Sequence, residues 1–217
     1  MTDRAILKAK LVAVTPHAEK IIELAGRTAY KSFNRIEDGS AGEFVGRIVR
    51  MGHESVLEHA SASIRITGIS RACSHQLVRH RLASYTQESQ KFVNQTGAAF
   101  VVPPTIAKDP LACDAYMRHL YGAIAMYEHL LREGIPSEDA RFVLPNACST
   151  EVVMTANFRE WRHFFSVRGD PAAQWEIRAL ALEIYGILIA EAPSVFADFR
   201  IVNHPTVGQC LVNVGGD

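Results

Sequence analysis

No excess charge of either sign runs through this sequence: 23 basic residues are balanced by 23 acidic ones, for a formal net charge of zero. A general nucleic-acid binder carries a basic surplus, so no nucleic-acid partner is expected and any anion site must be local. The four cysteines, Cys73, Cys113, Cys148 and Cys210, stand far apart with no C-x-x-C pair. That spacing excludes a disulfide scaffold and a zinc ribbon. Glu183 interrupts the longest apolar run near the carboxyl end, and the opening M-T-D-R-A-I-L-K has no apolar core of the signal-peptide kind. The expectation is a reduced, cytoplasmic protein with no membrane partner. G-x-G-x-x-G, G-x-x-x-x-G-K-[ST] and G-x-S-x-G are also missing. Neither a glycine-cradled dinucleotide, nor a P-loop, nor a hydrolase elbow is expected. A dinucleotide bound here would have to be held by arginine and histidine side chains.

What is present is an ordinary globular composition, 48% hydrophobic and 21% charged over 217 residues, with no linker to divide it. A single domain over residues 1–217 is expected, burying about 70% of its unfolded surface. Alternation over residues 5–14 predicts a strand, and Thr15 followed by Pro16 predicts a capped helix to Ala29. A capping box at Ser40 and Glu43 opens a second helix. Residues 60–67 read as a strand, and Ser70 caps a helix that delivers Arg79 and His80 in its last turn. The T-Q-E-S-Q run after it reads as a loop. Asp109-Pro110 starts a long helix to Gly134, and Ser137 caps a short one. Residues 149–156 read as a strand leading into a helix capped by Asn157, and Asp170-Pro171 begins the last long helix. Few strands among more helix predict an α+β, or mixed α/β, fold: a small sheet flanked by long helices.

Four clusters could carry chemistry. His53-Glu54-Ser55-Val56-Leu57-Glu58-His59 alternates histidine and carboxylate. It matches neither H-E-x-x-H nor H-x-x-E-H, so hydrogen-bonded histidines at a helix start are preferred to a metal. Arg79 to Lys91, R-H-R-L-A-S-Y-T-Q-E-S-Q-K, sets cations around hydroxyls and amides. Alone it reads as a solvated helix end; in company it reads as an anion cleft. Arg141 sits in the otherwise apolar A-R-F-V-L-P-N, where a structural ion pair is the bland alternative. In N-F-R-E-W-R-H-F-F-S-V-R, positions 161, 164, 165 and 168 share one helical face, so Arg168 follows an aromatic stripe. That stripe is either core with a snorkelling arginine or a wall for a flat ligand.

Together these segments resemble the flavin-dependent thymidylate synthases, the ThyX family. The likeness runs in order through G-R-T-A-Y-K-S (26–32), G-H-E-S-V-L-E-H, Q-L-V-R-H-R-L-A-S-Y, V-L-P-N, T-A-N-F-R-E-W-R-H-F-F and A-Q-W-E-I-R. Its centre is Arg79-His80-Arg81 with Ser89 beyond. The resemblance implies an FAD-dependent homotetramer with active sites shared between subunits. It implies methylation of C5 of dUMP, with methylenetetrahydrofolate and NADPH as co-substrates and no metal. By position it implies flavin contacts from Ser55, Arg79, His80, Arg81, Gln87, Asn157, Arg159 and His163. It implies nucleotide contacts from Gln76, Arg79, Gln87, Glu88, Ser89, Gln90, Lys91, Arg141 and Arg168.

Arg168 takes the family's activating position. A guanidinium beside the uracil ring stabilises negative charge on N3 and its neighbouring oxygens as electron density moves to C5. Ser89 is expected to position the pyrimidine, and no cysteine is expected to be catalytic. The chain departs from the family at Thr86-Gln87, where many members have Asn-Glu, and at His163, where some have asparagine. It departs further at Lys91, where arginine is typical; lysine replaces a planar fork by a point charge. Relatives in nucleoside-antibiotic pathways methylate UMP as well as dUMP, and Lys91 keeps that alternative open. A non-catalytic flavin- or nucleotide-binding paralogue, or a metal-dependent hydrolase built on His53–His59, are the competing classes.

Overall fold

Strict alternation builds the central sheet. In the computed structural model, which describes residues 4–215, β4 (Ser149–Asn157) buries Thr150, Val152, Met154 and Ala156 in turn. β2 (Ser61–Ser70) buries Ala62, Ile64 and Ile66, then slips to Ile69 and Ser70. The slip falls at Gly68, where φ is +72° and a Cβ would lie 2.0 Å from the Ile6 carbonyl oxygen. Only glycine permits that approach. With β1 (Lys8–Val14) and β3 (Ala83–Gln87), these strands form a four-stranded sheet in the order β1-β2-β4-β3.

The helices, in chain order, are α1 (Ala18–Ala29), α2 (Ser40–Arg50), α3 (Arg71–Leu77), α4 (Pro104–Ala107), α5 (Pro110–Arg132), α6 (Ser137–Ala140), α7 (Phe158–Arg168), α8 (Trp175–Glu191) and α9 (Pro193–Phe196). β5 (Phe199–His204) and β6 (Gly208–Asn213) close the chain as an antiparallel pair in register from Phe199↔Asn213 to His204↔Gly208. The expected mixed α/β class is what is observed. Among the described residues no helix is long and apolar enough to cross a membrane.

Two compact units divide the chain. The first takes Ile66–Val78, Thr86–Val152 and the described part of Met1–Lys8. The second takes Ala9–Arg65, Arg79–Tyr85 and the described part of Val153–Asp217. Each strand of the larger sheet contributes residues to both. The first unit has Phe100, Leu120, Ile124 and Cys148 at its core. The second packs aromatic rings around Phe165, with Tyr185, Phe196 and Phe199 centred 5.7, 5.6 and 5.9 Å away.

Several expected boundaries move, each for a local reason. Thr15 does not cap α1, because its hydroxyl accepts from the Ser61 amide at 2.9 Å, tying it to the strand. His17, in the left-handed region at φ 51°, precedes the helix instead. Ser40 is likewise diverted: its hydroxyl donates to Glu23 at 2.8 Å, and Gly39 takes the cap position. α3 keeps its Ser70 cap but ends at Leu77, so Arg79 and His80 lie past it rather than in its last turn. Thr86 and Gln87, read as loop, finish β3, and the Glu88 amide then donates to the Glu151 carbonyl at 2.9 Å. Asp170 caps only its own turn, through the Ala172 amide, and α8 starts later under Gln174. His53 to His59 forms a 3₁₀ segment, Glu54–His59, rather than an α-helix start. β5 and β6 were not foreseen; exposed Ile201 and Val202 give them no apolar alternation.

Candidate functional site

α7 organises the second unit's cleft from a chemically specified start. Asn157 Oδ1 accepts from the Glu160 amide at 2.9 Å and starts the helix. Its inner face, Trp161, Phe164 and Phe165, is fully buried. What remains for the open side is polar, and a cleft of about 830 Å³ lies there. Arg79, His80, Arg81, Asn157, Arg159 and His163 all line it. These are expected flavin contacts, brought together from the link after α3 and from α7. Exposed Ser55 lies in the 3₁₀ segment whose Glu54 and Glu58 also line the cleft. Gln87 belongs to the first unit.

The charges of the cleft sort into spent and unspent. Glu58 holds Arg159 at 2.6 Å. Glu54 holds Arg162 at 2.8 Å, and Asp198 takes the same guanidinium with both carboxylate oxygens at 2.6 and 2.7 Å. Arg162 is thus a structural ion-pair centre. Arg79 and Arg81 are exposed, with no carboxylate partner among the described residues. The cleft therefore keeps uncompensated guanidinium charge on one wall.

In the same cleft, buried His80 and Glu160 join half-buried Arg168 in a chain of three side chains. Arg168 Nε donates to His80 Nε2 at 2.9 Å, and His80 Nδ1 lies 3.1 Å from Glu160 Oε1. Burial first, then the Arg168 guanidinium and His163, push the His80 pKa down to about 4. The ring is neutral at pH 7, and because Nε2 accepts, the proton sits on Nδ1 and is donated to Glu160. Burial raises the Glu160 pKa. Tyr85 donates to the His80 carbonyl at 2.8 Å, and burial, followed by Glu160, raises its pKa as well. Glu160 and Tyr85 lie inside the quoted motifs but were given no role there, since their contacts with His80 are not visible in the sequence.

Ligand atoms of His80, Glu160 and His163 lie within 4.8 Å of one another. No other trio of histidine, cysteine or carboxylate does so among the described residues, and the His53–His59 segment supplies none. Both His80 nitrogens are already engaged, one by a guanidinium, so the trio reads as a hydrogen-bonded chain rather than a cation site.

A second set of expected residues gathers in the first unit. Gln87 Nε2 donates to Ser74 Oγ at 2.9 Å and to Thr150 Oγ1 at 3.2 Å. Arg71 donates to the Glu88 carbonyl at 3.1 Å, and Gln95 donates to the Glu88 carboxylate at 2.9 Å. Ser89 turns the chain: its carbonyl accepts from Phe92 and Val93, and its hydroxyl accepts from the Lys91 amide. Gln90 is buried. The Lys91 ammonium pairs with Glu138 at 2.7 Å, and the Glu138 carbonyl accepts from Arg141 Nε at 3.0 Å. The Lys91 hydrogen bond holds the Glu138 carboxyl below its usual range. Gln76 is half-buried on α3. Arg71 is a residue the sequence reading missed; burial lowers its pKa. Arg168 belongs to the second unit.

The profile of the family described as "Thymidylate synthase complementing protein" matches residues 10–194. The chain belongs to that family. Among curated relatives, a flavin-dependent thymidylate synthase of Geobacter sulfurreducens is 42% identical over 200 residues, 88% of this chain and 86% of its own. One from Pyrococcus furiosus is 41% identical over 165 residues, 74% of this chain and 68% of its own. A solved structure also superposes. It is the UMP/dUMP methylase PolB from Streptomyces cacaoi bound with 5-Br dUMP, with a TM-score of 0.80 over 91% of this chain and 96% of that one. At 24% identity this likeness shows the fold alone.

Proposed function

We propose that the chain is a flavin-dependent thymidylate synthase that converts dUMP to dTMP, with FAD as cofactor and methylenetetrahydrofolate and NADPH as co-substrates. The observation that carries this reading is the pair of exposed arginines, Arg79 and Arg81, beside a neutral His80 that holds Arg168. The cleft volume, about 830 Å³, falls within the range of small-molecule sites. Its lining suits FAD: two guanidinium groups without carboxylate partners match a pyrophosphate, and glycine-rich backbone is not needed. Arg79, Arg81, Arg159, Asn157, His163 and Ser55 would hold the cofactor, with the His80 ring packed edge-on to Phe164 at 5.2 Å. Bound flavin supplies the reducing equivalents.

The chain's own groups do the rest. Arg168 stabilises the charge that develops on the uracil ring as C5 becomes nucleophilic. Gln76, Gln87, Glu88, Ser89, Gln90, Lys91 and Arg141 bind and orient the nucleotide, with Arg79 shared between both ligands. A homotetramer with shared sites is part of the proposal. Leu82, Phe92 and Phe142 are 75%, 81% and 83% exposed, and each directly follows an expected site residue, Arg81, Lys91 or Arg141. Apolar side chains flanking a charged site are what a subunit interface would cover. We also propose that residues 1–217 act as one catalytic domain, since each compact unit is assembled from three separated segments.

Tritium release from [5-³H]dUMP and [5-³H]UMP tests the reading, with FAD, NADPH and methylenetetrahydrofolate present. Folate-dependent release from dUMP is expected; none from either nucleotide would refute it. Activity on UMP as well is the second reading. It is favoured by Lys91, whose single ammonium is already shared with Glu138 at 2.7 Å and so contacts a nucleotide less selectively than an arginine fork.

A further inference from the structure

Two ends of one helix meet a single imidazole. α7 carries Glu160 in its first turn and Arg168 in its last, about 12 Å apart along the axis. His80, from a different segment, reaches both: Nδ1 to Glu160 at 3.1 Å and Nε2 to Arg168 at 2.9 Å. We propose that Glu160 is a positioning residue, whose carboxylate fixes His80 in the Nδ1-protonated tautomer so that the bare Nε2 can hold the Arg168 guanidinium.

The geometry leaves one consistent assignment. Arg168 Nε carries a hydrogen at every accessible pH, so Nε2 must be the acceptor. With the proton on Nε2, two N–H groups would face each other at 2.9 Å, and the arginine would have to leave. Nδ1 then has to donate, and Glu160 Oε1 is the acceptor within reach. Glu160 is only 4% exposed, and burial raises its pKa, but a local feature works the other way. It lies in the first turn of α7, where backbone N–H groups favour negative charge, and its own amide is capped by Asn157. His80 is 5% exposed, so water cannot readily replace the carboxylate as acceptor. With both ring nitrogens engaged, the imidazole serves Arg168 rather than donating to a cofactor. Its partners are a guanidinium and a carboxylate on a rigid helix, which fixes the ring in two directions.

The catalytic consequence rests on the reading of Arg168 as the activating group; the tautomer does not. Ring-nitrogen NMR on ¹⁵N-histidine-labelled protein reads the tautomer directly, with the His80 signals identified by their loss in His80→Gln. The expected wild-type pattern is a protonated Nδ1 and a bare Nε2. Glu160→Gln keeps a carbonyl acceptor and should keep this pattern with most of the activity. Glu160→Leu removes the acceptor and should move the proton to Nε2, lowering kcat about 10- to 100-fold with FAD content unchanged. A bare Nδ1 in the wild type overturns the proposal, as does a Leu variant with wild-type tautomer and kcat. Should Glu160→Leu fail to fold, the wild-type spectrum still decides. Absence of tritium release from the wild type would sink the reading of Arg168 and leave the spectrum to judge the relay alone.

Discussion

The buried His80 makes a quantitative prediction about pH and stability. In the unfolded chain its imidazole protonates near 6.5, whereas in the folded protein burial, Arg168 and His163 hold the pKa to about 4. Between those values the unfolded state binds more protons, so the folded state loses stability as pH falls from 6.5 to 4. The full shift corresponds to an upper limit of about 3 kcal/mol, and to roughly half of that with partial solvent screening at the cleft. Glu160, whose pKa is raised by burial, works in the opposite sense, and Tyr85, whose pKa is raised from 10, stays neutral across the window. Comparing wild type with His80→Asn cancels the groups that titrate alike in both. Urea unfolding at pH 7, 6, 5 and 4 should show the wild type losing ground to the variant by about 1.5 to 3 kcal/mol. A difference that stays constant with pH, or that favours the wild type at low pH, would refute a neutral buried His80.

Arg168→Ala should nearly abolish tritium release from dUMP while FAD still binds, measured by flavin absorbance after gel filtration; full activity would remove the activation step. Arg162→Leu should destabilise by about 3–5 kcal/mol in urea unfolding, because Asp198 and Glu54 are left without their buried cation. Gly26→Ala should cost about 1–3 kcal/mol, since its Cβ would lie 2.5 Å from the Phe44 ring, which is itself held by Arg27 at 4.6 Å and Arg47 at 5.5 Å; an unchanged unfolding midpoint would mean that α1 and α2 part easily. Lys91→Arg should raise the dUMP-to-UMP ratio of kcat/KM several-fold, and an unchanged ratio would mean that position 91 does not read the sugar.

The elements readable from sequence were those whose signals are local. β4 shows its alternation without interruption, and Asn157, Ser70 and Asp109 cap the helices they were expected to cap. Capping failed at Thr15 and Ser40, because each hydroxyl found a partner distant in sequence, Ser61 and Glu23. β5 and β6 went unseen because a ladder joining exposed residues leaves no burial pattern. Charge alone could not separate Arg162 from Arg79 and Arg81. All three are arginines in motif-rich stretches, but Arg162 is saturated by Glu54 and Asp198 while the other two face an open cleft.

By itself the sequence determined the family, through ordered motifs spread over most of the chain, and the mixed α/β class, through periodicity and caps. It also led to the expectation that a bound dinucleotide would be held by arginine and histidine side chains, since no glycine-rich phosphate motif is present. Only the tertiary structure decided which arginines have carboxylate partners and which groups face the two nitrogens of His80. Those properties depend on what lies within about 3 Å of a given nitrogen or oxygen, and the decisive neighbours, Glu160 and Arg168 for His80, stand 80 and 88 residues away along the chain.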